Sequence, residues 1–391
     1  MGTLIKNRIE SIDLLKGIVM VVMALDHTRD YLHSAAYLYE PTDPTHTSWP
    51  IFLTRWITHY CAPTFSFLAG MSAFMVSRRR SKVDLSRFLF TRGLWLIIIE
   101  LTVLNFGWFF DIQFRTPMLI TIWSLGISMI VLAGLVHLPR KIILLISCIL
   151  IFGHNLLDGV HFSGSIFWAM LHDGGLFNLS KDYNLFVGYP VLPWIGVMAL
   201  GYCFGPLYDN SFSSIRRKKI LTVIGFSAIG AFIILRAINL YGDPNGWTHY
   251  DTVSKSMMSF LNPQKYPPSL LYLLMTLGPS LIFLANSEKF KGKIVQFFST
   301  FGRVPFFYYI LHIYVIHIIA MITAQVTGYG WNKMIFHGGW INQLPGYEGF
   351  GFSLWAIYLI WFAVIAICYP ICKKFDTYKM NHKEKWWLSY L

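Results

Sequence analysis

Charge is scarce in this chain: only 13% of its 391 residues are Asp, Glu, Lys or Arg, and acids are the scarcer sign, 19 against 32 basic residues. A water-soluble domain carries about 25% charged residues, and a disordered chain carries still fewer apolar ones, so both classes are excluded. Cysteine is sparse as well. Cys61, Cys148, Cys203, Cys368 and Cys372 all fall in apolar runs without metal-ligand spacing, which speaks against a disulfide framework or a zinc site and leaves them as packing residues. Also missing are an internal repeat, a low-complexity tract and a Pro/Gly/Ser-rich linker, so residues 1–391 read as one domain. No cleavable signal peptide is expected, because the first apolar run is flanked by Asp13 and Lys16 and ends in charge rather than in small residues.

Apolar residues make up 55% of the chain, and the mean hydropathy is +0.51. They cluster into runs of about 20, the length that crosses a hydrocarbon core of roughly 30 Å. The runs lie near 12–33, 50–77, 86–108, 117–137, 140–157, 185–206, 219–240, 267–285, 302–325 and 352–372. They predict an all-α integral membrane protein, a polytopic bundle of about ten transmembrane helices. The net charge of +13 alternates between connecting segments: Lys6, Arg8 and Lys16, then Arg78, Arg79, Arg80, Lys82, Arg87 and Arg92, then clusters at 140–141, 216–219, 289–303 and 373–385. That alternation is the positive-inside signal, predicts cytoplasmic N- and C-termini, and argues against a nucleic-acid partner.

Within the first run, Gly17 to Leu25 gives way to Asp26, His27, Arg29 and Asp30. A charge near the bilayer centre costs roughly 2.5–3.5 kcal/mol, so such groups usually line a cavity, a substrate path or a reaction centre. Lys16 and His27 are 11 residues apart, which returns to within about 20° of the same helix face over about 16 Å. A thin ligand entering from the cytoplasm could touch both. Ser11 and Asp13 read as the cap of this helix. Asp26 needs Arg29 or a group on another helix as partner. A proton- or ion-coupled secondary transporter, with Asp26, His27, Asp30 and Arg236 as its relay, is the competing class.

His46 sits in the first outer loop, within His46-Thr47-Ser48-Trp49, and Ala62-Pro63-Thr64-Phe65-Ser66-Phe67-Leu68-Ala69-Gly70 follows. Together with Ser11-Ile12-Asp13 before Lys16-Gly17-Ile18, and with Gly302-Arg303-Val304-Pro305 before Tyr309 and His312, these stretches resemble the catalytic domain of heparan-alpha-glucosaminide N-acetyltransferase and its bacterial relatives, within the transmembrane acyltransferase superfamily. Lys16 stands where the family has Arg, losing a planar bidentate fork. His27 stands where the N-acetyltransferases have Asn, closer to the O-acylating branch.

The resemblance implies an acyl-CoA-dependent N- or O-acyltransferase that moves an acetyl or similar group from cytoplasmic acetyl-CoA to an extracytoplasmic amino sugar or sugar hydroxyl. It implies His46 as first choice of base, His27 as a second base or stabiliser of the thioester carbonyl, and His312 as a further site residue. Lys16, Arg87, Arg92 and Arg78 are the expected acyl-CoA contacts, arginine being suited to phosphate. No metal is expected. The expected surroundings are a lipid bilayer, most simply a bacterial inner membrane, with a carbohydrate acceptor and a homodimer as the oligomeric option. His317 reads as packing. Trp247, His249, Asp251, Trp331, His337 and Trp340 read as interfacial anchors before sugar contacts.

Overall fold

The computed structural model describes residues 9–339, 346–347 and 349–389. Lys6, Arg8 and Trp340 lie outside them. The chain is mostly helical. Helix α1 is Glu10–Leu32; α2 (Trp49–Trp56) and α3 (Cys61–Ser77) follow one another through a single 3-10 turn. Next come α4 (Lys82–Ile99), continued through a π-helical turn (Glu100–Leu104) into α5 (Asn105–Phe109), then α6 (Thr121–Leu135) and α7 (Arg140–Gly153). The one-turn α8 (Ile166–Trp168) precedes α9 (Leu192–Phe204), α10 (Ser214–Ile238), α11 (Val253–Phe260), α12 (Leu270–Ser287), α13 (Lys293–Arg303), α14 (Pro305–Val326) and α15 (Leu354–Asn381).

Among the described residues, seven helical segments are long and apolar enough to cross a membrane, while α6 and α9 belong to shorter apolar helices. The shortfall of three has two causes: α1 is long enough but carries too many charged residues, and the runs that hold α6 and α9 are shortened at their starts. Residues 117–120 and 185–191, which the apolar runs assign to membrane spans, are not helical. Instead β1 (Met118–Leu119), β2 (Gly175–Asn178) and β3 (Asn184–Val187) form a small sheet in the order β1-β3-β2. Met118 pairs with Phe186 and Leu119 with Val187 in parallel, and β2 runs antiparallel to β3. A short, one-sided run of Val, Phe and Leu satisfies its backbone by pairing when it ends in glycines, as here at Gly174, Gly175 and Gly188.

The start of α1 also differs from expectation. Its N-cap is Ile9, with no side-chain cap, and Ser11 is buried within the first turn, to which Glu10 and Asp13 supply acid.

The four most extensive helix pairs, α1/α13, α3/α9, α4/α6 and α10/α12, each cross at facing glycines. A Cβ on Gly17 would stand 1.8 Å from the Phe298 carbonyl oxygen, and one on Gly302 1.8 Å from that of Asp13. Gly70 and Gly201 approach Met198 and Phe67 in the same way, at 1.9 and 2.0 Å, and Gly93/Gly126 and Gly225/Gly278 repeat the pattern. Backbone-to-backbone contact of this kind replaces the hydrophobic drive that lipid cannot supply. α12 is largely buried, whereas α10 and α15 turn Phe226, Ile233, Leu359 and Phe362 outward, as lipid-facing helices do.

Candidate active site

Helix α1 is buried along nearly its whole length, so its polar residues must find partners within the bundle. Asp26 does so on two sides: Arg29, one turn on, forms an ion pair with it at 2.8 Å, and Arg55 of α2 donates to it across the helix gap, with Lys265 of the α11–α12 connection 3.9 Å away. Arg29 also donates to Asp30, and its side chain is 1% exposed. His27 points elsewhere. Its Nδ1 lies 2.8 Å from Nε2 of His312 on α14, the two rings nearly coplanar, and Trp108 of α5 meets it edge-on at 4.7 Å.

These residues wall a cavity of about 280 Å³. Asp26, His27, Asp30, Arg55, Lys265, Trp108 and Tyr309 line it, and the sheet region closes it with Gly174, Gly175, Phe186 and Val187. Tyr189, Tyr266, Glu40 and Asp173 complete the lining, so the cavity offers carboxylates, two cations and aromatic faces together. Such a lining suits a ligand that carries both polar groups and apolar faces.

A second cavity, of about 120 Å³, lies along the same helices. Lys16 and Arg92 line it with Ser72, Phe65, Phe88, Ile122 and Phe306, and Lys16 donates to Ser72 Oγ from 2.7 Å. The two cavities are neighbours on one seam. Ala62 and Phe65 of α3, Thr121 and Ile122 of α6, and Tyr309 and Phe306 of α14 line the first and second cavity respectively, at most three residues, or about 4.5 Å of helix, apart. Glu100 stands at this junction, fully buried, accepting from the backbone amides of Ile122 and Trp123 at 2.7 and 2.9 Å and so capping α6.

The structure thus unites some expected site residues and separates others. His27 and His312 meet, and Lys16 and Arg92 share the second cavity. His46 is apart: its side chain is 64% exposed, its Nδ1 is 2.8 Å from Asp43, Tyr39 stacks on it, and it lines neither cavity. Burial pushes the Asp43 carboxyl up, but hydrogen bonds from His46 and Thr45 outweigh that and hold it below its ordinary value. Arg87 is exposed and lines neither cavity, and Arg78 forms an ion pair with Asp209. Arg236 does not join the α1 cluster; it donates to Asp243 and to the carbonyls of Asn245, Ser259, Phe260 and Asn262, closing the connection after α10. His317 is buried against two carbonyls, of Gly107 and Met334. Trp247, His249, Asp251, Trp331 and His337 line neither cavity.

Arg55, Lys265, Glu100 and Asp173 went unread as site residues in the sequence. Arg55 and Glu100 carried a signal like that of the Asp26–Asp30 stretch, charge within an apolar run. Lys265 and Asp173 stand in polar connections, where charge is ordinary. Among the described residues no group of three or more His, Cys, Asp or Glu could hold a metal ion.

Compared with known families, residues 8–235 match the family described as heparan-alpha-glucosaminide N-acetyltransferase, catalytic. No curated protein matches the chain.

Proposed function

Since the chain belongs to the heparan-alpha-glucosaminide N-acetyltransferase catalytic family, we propose that it transfers an acetyl or similar acyl group from cytoplasmic acyl-CoA to an amine or hydroxyl of an extracytoplasmic sugar. The observation that carries this reading is the pair of adjoining cavities on one seam, with Lys16 in the smaller and His27 in the larger. The smaller holds about four waters' volume, enough for a chain but not a nucleotide. The pantetheine arm therefore occupies it, past Lys16 and Arg92, and the nucleotide phosphates stay at the cytoplasmic surface within reach of Arg87 and the Arg78–Arg80 stretch. The acceptor enters the larger cavity from the opposite side.

At the junction the acceptor nitrogen or oxygen attacks the thioester carbonyl. His27 takes the proton from the attacking atom, the new C–N or C–O bond forms as the C–S bond breaks, and the proton passes on to the departing thiolate to give free CoA thiol. The burial of His27 at the cavity wall favours it over the exposed His46 for this role. Donors around the junction would stabilise the developing oxyanion. With basic segments inside, the protein spans a bacterial inner membrane with both termini cytoplasmic.

The test is thermal stability of the detergent-purified protein with acetyl-CoA, against desulfo-CoA and free CoA, followed by transfer of labelled acetyl to candidate amino sugars. A ligand at 100 times its Kd should stabilise by about 2.7 kcal/mol. No saturable shift in folded protein would overturn the reading.

A further inference from the structure

His312 is 0% exposed, and its two ring nitrogens face two different partners. Nδ1 lies 2.8 Å from the carbonyl oxygen of Tyr308, which can only accept, so that nitrogen carries hydrogen. Nε2 lies 2.8 Å from His27 Nδ1. The ring is packed between Tyr308 and Tyr309, with no carboxylate against it among the described residues, and a buried imidazolium without a counter-charge is costly. In the neutral ring, hydrogen on Nδ1 leaves Nε2 a bare acceptor. The hydrogen between the two rings must then belong to His27 Nδ1, and a neutral His27 with hydrogen on Nδ1 has its lone pair on Nε2.

We infer that His312 is a positioning residue that fixes the tautomer of His27, so that the bare Nε2 of His27 is the proton-accepting atom at the larger cavity. This deepens the acyltransferase reading and rests on it. Hydrogen-bond donation runs from His27 Nδ1 to His312 Nε2 and from His312 Nδ1 to the Tyr308 carbonyl. His27 lines the cavity, and the described residues give its Nε2 no hydrogen-bond partner. Trp108 and Tyr309 pack edge-on to the His27 ring at 4.7 and 6.1 Å. A histidine left to itself favours hydrogen on Nε2, the wrong atom for a base facing the acceptor. His312 reverses that preference. During transfer the acceptor proton binds Nε2, and the resulting imidazolium keeps donating through Nδ1 to His312 Nε2, so the relay holds the same geometry in both protonation states. The wrong tautomer in an analogous hydrogen-bonded base lowers turnover severely.

The experiment pairs imidazole nitrogen NMR of the histidine-labelled protein, with the His27 signals assigned by their loss in His27→Gln, with kinetics of two variants. In the wild type the His27 signals should show hydrogen on Nδ1 and a bare Nε2; hydrogen on Nε2 overturns the inference outright, whether or not any acceptor is known. His312→Phe fills the space but removes the acceptor, and should lower kcat by about 10²–10⁴-fold with KM for acetyl-CoA and stabilisation by acetyl-CoA nearly unchanged. His312→Gln restores an acceptor oxygen towards His27 and should recover at least about tenfold of that loss. Wild-type kcat in His312→Phe, or a kcat in His312→Gln no better than in His312→Phe, overturns the positioning role while leaving the acyltransferase reading intact. Absence of acetyl-CoA stabilisation in the wild type overturns that reading instead, and the nitrogen spectrum still decides the tautomer. If His312→Phe does not fold, the wild-type spectrum and His312→Gln carry the decision.

Discussion

Replacing Asp26 by Asn should destabilise the protein more than replacing its partner Arg55 by Gln. The five charged groups around Asp26 are the carboxylates of Asp26 and Asp30 against the cations of Arg29, Arg55 and Lys265. Asp26→Asn leaves three cations facing one carboxylate. Arg55→Gln leaves two cations facing two carboxylates, a neutral set. The side chains of Arg29 and Arg55 are 1% and 11% exposed, so water cannot screen the excess positive charge. Removing one partner of a buried pair costs about 3–5 kcal/mol, and Asp26→Asn should fall in that range. Arg55→Gln, which brings the set from one excess positive charge to neutrality, should cost about 1–3 kcal/mol, the expense of unmade hydrogen bonds. The double variant should be less stable than wild type by less than the sum of the two, because the same interaction is removed twice. A thiol-reactive fluorophore gives the readout, since Cys61, Cys368 and Cys372 are buried and become reactive on unfolding. Equal apparent melting temperatures for Asp26→Asn and wild type, or a larger loss for Arg55→Gln, would refute the charge accounting.

Lys16→Met and Arg92→Gln should each weaken acetyl-CoA binding by about ten- to a hundredfold, the worth of a charge-assisted contact, in a ligand-dependent melting assay; Arg78→Gln, an exposed phosphate contact shared with Asp209, should weaken it less, and the reverse order would count against the inner cavity as the route of the pantetheine arm. Burial lowers the proton affinity of His172, but hydrogen bonds to Asp158, Asp173 and the His154 carbonyl outweigh it and raise the pKa above 6.5. Its contribution is therefore complete below about pH 6.5 and lost as pH rises through the folded value, with Asp173 also held by His161. Hydrogen exchange over residues 155–175 should accelerate beyond its intrinsic pH dependence across that rise and should not do so in His172→Gln; an unchanged excess in His172→Gln would exclude His172 as the cause. Gly302→Leu should force α1 and α13 apart at a cost of at least about 1–3 kcal/mol, and a fully stable variant would contradict the backbone contact between Gly302 and Asp13.

Which parts of this architecture could be read from the sequence follows from which interactions are local. Apolar runs located the helices because chain length in hydrocarbon is a one-dimensional constraint. They mislocated the sheet, since Pro117–Ile120 and Asn184–Pro190 are as apolar as the helices they precede, and only the pairing of Met118 with Phe186 across the fold separates strand from span. The amphipathic α13 went unread for the opposite reason: its basic ends looked like connecting sequence, and its role appears only where Gly302 touches Asp13. The facing glycines sat in plain view in the apolar runs. A single glycine in such a run does not say which of the other glycines it meets, and no local rule pairs Gly70 with Gly201.

The candidate site divides along the same line. The polar stretch of α1 identified the wall of the larger cavity because a charge among apolar residues is costly wherever the helix packs. It could not name the partners, which come from α2, from the α11–α12 connection and from α14, between 29 and 285 residues away in the chain. His46, by contrast, is set by its own loop. Its neighbours Asp43, Thr45 and Tyr39 are all local, and they hold it on the surface of the loop. Among the described residues the one hydrogen-bond partner of His27 is a histidine on another helix, and the ring lines the cavity.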